Sequence, residues 1–71
     1  LETLTFEITK PKLNINYDVI ENRLNKIDFL KTILINKENR IIKVRAYQNI
    51  EDKSLIILNS LHKIGYELSL K

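Results

Sequence analysis

The spacing of apolar residues predicts an α+β fold with elements in the order βαββαβ, a four-stranded antiparallel sheet carrying two helices on one face. Three observations lead there. Leu4, Phe6 and Ile8 alternate with Thr3, Thr5, Glu7 and Thr9, and Tyr66, Leu68 and Leu70 alternate with Glu67 and Ser69 at the other end of the chain, the period of strands buried on one face. Between them, Tyr17, Ile20, Leu24 and Ile27, and later Ile57, Leu58, Leu61 and Ile64, recur at helical spacing. A β-branched stretch divides the two helical ones, with Lys37-Glu38-Asn39 at its centre as hairpin composition.

Each element has a start and a stop. Pro11 has no N–H to give to a ladder, so the first strand ends before it and Lys10 to Asn16 reads as a loop. Asn16 is placed to cap the first helix, with Asp18 and Glu21 favourable near its N-terminus; that helix is expected to stop near Asp28. Leu30 to Asn36 and Arg40 to Tyr47 form the paired middle strands, the second alternating through Ile42, Val44 and Ala46. Asp52 is expected to cap the second helix, and Gly65, the only glycine, to end it. This arrangement leaves Thr3, Thr5, Glu7, Thr32, Lys43, Arg45, Glu67 and Ser69 on the uncovered face of the sheet.

Composition limits the function classes. At 71 residues, 44% hydrophobic and 30% charged, the chain is sized for a single domain over residues 1–71 and is too apolar for disorder. It has no cysteine, so packing must supply the stability that disulfides or thiolate metal sites give other small domains, and a reducing, cytoplasmic setting suits it. The longest apolar run, Leu55 to Leu58, falls far short of the roughly 20 residues that span a bilayer, so no direct membrane insertion is expected. With no methionine anywhere, the chain reads as a domain excised from a larger protein. Net charge is +3 with the signs interspersed and no long basic block, which points to solubility and away from a nucleic-acid partner.

The spacing Ile20, Leu24, Ile27, then Leu30, Ile33, Ile35, Asn36, Ile42 and Val44, followed by the closing Ile64-Gly65-Tyr66, resembles the heavy-metal-associated domain of copper chaperones and metal-transporting P-type ATPases. The resemblance covers nearly the whole chain and implies a ferredoxin-like sandwich. That family binds soft metals through Gly-Met-x-Cys-x-x-Cys between the first strand and first helix. Laid on this chain, the motif falls on Lys10-Pro11-Lys12-Leu13-Asn14-Ile15-Asn16, with Leu13 and Asn16 at the two cysteine positions and Lys10 and Pro11 at the Gly and Met positions. Neither can replace a thiolate: an aliphatic side chain does not coordinate, and an amide is a poor ligand for a soft ion. The resemblance therefore implies a degenerate domain that needs no cofactor, is not itself an enzyme, and meets a protein partner or other domains of its parent chain, an ATP-driven cation transporter by the same resemblance. Its interaction loop would comprise Lys10, Lys12, Leu13, Ile15 and Tyr66, with Leu13 and Ile15 expected to fold back onto Tyr66 and fill the vacated site.

Other chemistry is thin. His62, the sole histidine, follows core residue Leu61 and should face solvent, and Asp18 is explained as an acid in a helix's first turn. A metal-binding module with oxygen and nitrogen ligands from Asp18, Asn14, Asn16 and His62 is the second reading, suited to a harder ion than Cu(I). A small ligand- or protein-sensing domain that merely shares the fold is the third. An acylphosphatase needs an anion-cradling glycine loop after the first strand, and an amino-acid-binding regulatory domain of the ACT type normally has a glycine turn there; this chain has neither. An RNA-binding sheet of this topology needs stacking aromatics where Thr5, Lys43 and Arg45 stand. The edge strand from Leu30 to Ile35 is open to pairing with another copy, with Lys31 opposing it.

Overall fold

A computed structural model describes all 71 residues. Strand β1 (Glu2–Lys10) is followed by helix α1 (Tyr17–Asn25), strands β2 (Thr32–Asn36) and β3 (Ile41–Ala46), a 3-10 turn at Glu51–Lys53, helix α2 (Ser54–His62) and strand β4 (Glu67–Leu70). The sheet runs β2-β3-β1-β4 with every neighbouring pair antiparallel. This is the predicted βαββαβ sandwich, with β1 and β3 in the middle and β2 and β4 at the edges.

The period-two residues of the central strands point at the helices. Leu4, Phe6 and Ile8 from β1 and Ile42, Val44 and Ala46 from β3 meet Ile20 and Leu24 of α1 and Ile57 and Leu61 of α2 in one core that contains no polar side chain. At about 1.5–3 kcal/mol for each large side chain fully buried, this core is the main favourable term, since the three ion pairs of the molecule are all solvent-accessible and such pairs contribute about 0–1 kcal/mol. The opposite face carries the expected polar set in register: Thr3 lies across from Arg45, and Arg45 from Thr32; Thr5 faces Lys43, and Glu7 faces Ser69.

Three boundaries and the burial of one residue differ from expectation. Asp52 does not cap α2. Ile50 is sunk into the core at 1% exposure, its N–H donating to Glu2 Oε1 at 3.2 Å, and from there the chain enters the helix through the 3-10 turn, so Lys53 occupies the cap position without a side-chain bond. α1 ends at Asn25 rather than near Asp28, because Lys26 and Ile27 bond back to Arg23 and Leu24 in a tightened last turn. β2 begins at Thr32, since Leu30 is held in a turn by a bond to the Ile27 carbonyl. Leu70, expected inside, is 50% exposed: it sits across from Phe6 but on an edge strand with a neighbour on one side only. Gly65 behaves as predicted. At φ +96° it turns the chain out of α2 while the Tyr66 N–H reaches back to the Leu61 carbonyl at 3.0 Å, the pattern of a Schellman cap.

Candidate functional site

The loop from Pro11 to Asn16 joins β1 to α1 at the end of the sheet where the β2–β3 turn also lies. It enters through a cis Lys10–Pro11 peptide and passes Asn14 at φ 60°, a left-handed conformation that asparagine tolerates better than most residues. Ile15 then folds inward against the core. Asn16 caps α1 as predicted, its side chain accepting from the Val19 N–H at 3.2 Å.

Tyr66 locks this loop from the far side of the molecule. Its ring is 8% exposed, and its hydroxyl accepts from the Asn16 N–H at 3.1 Å. The closing Gly-Tyr pair thus binds the backbone at the position where the resembled family has its second cysteine. Leu13 does not join the packing: at 78% exposure it projects into solvent, contrary to the expectation that it would fill the space beside Tyr66. The Tyr66 hydroxyl is turned to a main-chain donor instead, and Ile15 supplies the inward apolar contact, so Leu13 has nothing left to cover. Replacing Tyr66 by phenylalanine is expected to cost about 0.5–1.5 kcal/mol and to raise amide exchange selectively from Leu13 to Asp18; unchanged protection there would show that the bond does not hold the loop.

The rim is basic. Lys10 pairs with Glu67 at 3.8 Å, and Thr9 Oγ1 donates to the Glu67 carbonyl at 3.1 Å. Lys12, Leu13, Tyr17, Lys37 and Arg40 line one shallow depression, with the Tyr17 hydroxyl donating to the Lys37 carbonyl at 3.2 Å and the Lys37 ammonium 5.9 Å from the Tyr17 ring centre. Lys37 and Arg40 escaped the sequence reading because only the sheet register brings the hairpin turn beside the first loop.

The four residues of the oxygen and nitrogen ligand set are not gathered. Asn14, Asn16 and Asp18 border one depression together with Lys37, whereas His62, exposed as expected, borders another with Leu58, Asn59 and Glu67. No three acidic, histidine or cysteine side chains converge anywhere in the chain. Asn16 Oδ1 is already engaged as the helix cap.

Among solved structures, the N-terminal domain of PacS from Synechocystis PCC6803 superposes over 100% of this chain and 98% of its own at a TM-score of 0.80. The fold is that of the heavy-metal-associated domains. The N-terminal domain of ZntA in its apo form aligns over 97% of this chain and 90% of that one at 0.76, and oxidised MerP from Ralstonia metallidurans CH34 over 99% and 96% at 0.73. Identities are 13%, 14% and 15% respectively, so the likeness is one of fold. No protein-family model matches this chain, and no curated protein does. The chain has no cysteine, and no helix of it is long and apolar enough to cross a membrane.

Proposed function

We propose that residues 1–71 are a thiol-less heavy-metal-associated domain of a larger protein, placed in the cytosolic N-terminal region of a cation-transporting P-type ATPase and acting there by docking or regulation. The supporting observation is the combination of an end-to-end match to this fold with a β1–α1 loop that carries Leu13 and Asn16 where the family has thiolates and is tied down by Tyr66. The site is replaced by packing and a capped helix, and chemistry of its own is not assigned to it. The exposed Leu13 and the surrounding lysines Lys10, Lys12 and Lys37 supply the contact surface, with an apolar anchor inside a polar rim. Two of the similar structures named above are N-terminal domains, in keeping with this placement.

The test is a titration of the isotope-labelled chain with Cu(I) under reducing conditions, and separately with Zn(II), following the amides of residues 10–18 and 62–66. A flat response is expected from both. Specific, saturable shifts in these segments would sink the reading and restore metal binding through Asn14, Asn16, Asp18 or His62. The ATPase placement fails separately if the parent chain lacks transmembrane helices and an Asp-Lys-Thr-Gly phosphorylation motif.

A further inference from the structure

The open face of the sheet holds most of the chain's excess charge. Thr32, Arg45 and Thr3 form one row across β2, β3 and β1; Leu34, Lys43 and Thr5 form the next, extended by Lys71, whose N–H donates to the Thr5 carbonyl at 2.8 Å. Asn36, Ile41, Glu7 and Ser69 make the third. Glu67, two residues before Ser69, shares this face, and the irregularity in β1 between Ile8 and Lys10 brings Lys10 to it. Arg40 joins through Glu7 at 3.9 Å. Five of the twelve bases therefore lie here, namely Lys10, Arg40, Lys43, Arg45 and Lys71, against Glu7, Glu67 and, at the rim beside Arg40 and Lys71, Glu38 of the nine acids, an excess of two of the chain's three net positive charges.

The positive charge on this face is also incompletely partnered. Glu7 serves both Arg40 and Lys71, the latter at 3.2 Å, while Lys43 and Arg45 belong to no ion pair. The Nε groups of Arg40 and Arg45 are buried with no acceptor, so the remaining guanidinium N–H groups carry any contact with an incoming carboxylate.

We propose that this face docks an extended acidic polypeptide segment with carboxylates at alternate positions. Lys43 and Arg45 are two residues apart on one strand, hence about 6.5–7 Å apart along it, which is the repeat of side chains on one edge of an extended peptide. Beside them Leu34, 55% exposed, and Ile41 border a depression with Thr5, Lys43 and Lys71, a seat for one apolar side chain between the carboxylates. A second copy of the chain is disfavoured, because it would set the same positive face against itself. A nucleic acid fits poorly, since none of the rows carries an aromatic side chain on which a base would stack. The inference rests on the docking reading above only in treating the domain as a docking module; the metal titration reports on the loops, and this one on the sheet.

The experiment is a titration of the labelled chain with a fluorescent acidic peptide, Asp at alternate positions around one central Leu, read by anisotropy and by amide shifts. Shifts are expected at Thr3 to Glu7, Lys43 to Arg45 and Ser69 to Lys71. Lys43→Glu combined with Arg45→Gln should weaken binding at least tenfold, and Lys26→Gln combined with Lys63→Gln, exposed on the helical side of the molecule, should leave it unchanged. Because Arg45 is half-buried, the exposed and unpaired Lys43→Glu is run alone as well and should show the larger part of the loss. Absence of binding, shifts confined to residues 10–18, or tighter binding of oligothymidine or phosphatidylserine vesicles than of the peptide would each overturn the proposal.

Discussion

Replacing Phe6 by alanine is expected to leave the chain largely unfolded in mild denaturant and close to unfolded in water. Phe6 is fully buried on the central strand β1, opposite Ile42 on one side and Leu70 on the other, under both helices in the single core. Truncating a buried phenylalanine costs about 3–5 kcal/mol, counting the lost transfer energy and the cavity left behind. A chain of this length has a total stability of about 4–10 kcal/mol, so one substitution removes from about a third of it to all of it. With a urea dependence near 1 kcal/mol per molar for so small a domain, the midpoint should fall by about 3–5 M. Thr5→Ala is the control, since its neighbouring side chain points to the open face, and it should move stability by only about 0.5 kcal/mol. Equal effects from the two would contradict the assignment of faces in β1.

Installing two thiols, Leu13→Cys with Asn16→Cys, is expected to give a chain that binds a single Cu(I) ion stoichiometrically under reducing conditions, where the parent chain is expected to give a flat titration. The scaffold for this is in place. Leu13 is solvent-exposed, so its replacement disturbs little, and position 16 is held at the start of α1 by a main-chain bond to Tyr66 that does not involve its side chain. A helix N-terminus lowers the pKa of a cysteine placed there and favours the thiolate that a soft ion needs. The loss of the Asn16 cap costs about 1 kcal/mol, which a folded domain tolerates. Competition against a chromophoric Cu(I) chelator reads the gain, with each single-cysteine variant as a control. If the double variant bound no better than the singles, the β1–α1 loop would have diverged in shape as well as in ligands, and its alignment with the family motif would be wrong.

The two predictions draw on different parts of what the sequence made legible. The core was readable because period two in β1 and β3 and helical spacing at Ile20, Leu24, Ile57 and Leu61 each mark one buried face, and burial of those faces is what drives collapse. The cap at Asn16 and the exit at Gly65 were readable for a local reason, since a side-chain acceptor and a left-handed residue act within one turn of the chain. Asp52 misled for the same reason in reverse: its local preference for a cap lost to the burial of Ile50, a tertiary demand. Leu70 misled because alternation does not tell an edge strand from a central one.

What the sequence alone determined is the element order, the composition of the core, and the absence of any thiolate. These follow from short-range periodicity and residue chemistry. Only the tertiary structure decided which of Leu13 and Ile15 turns inward, that Tyr66 spends its hydroxyl on the Asn16 amide, and that Lys37 and Arg40 stand beside the first loop. It also decided that Lys43, Arg45 and Lys71 share one surface whose charge the rest of the molecule does not offset. Each of these depends on which strands become neighbours and in what register, and that is settled by closing the whole hydrophobic core at once, so no local run of residues encodes it.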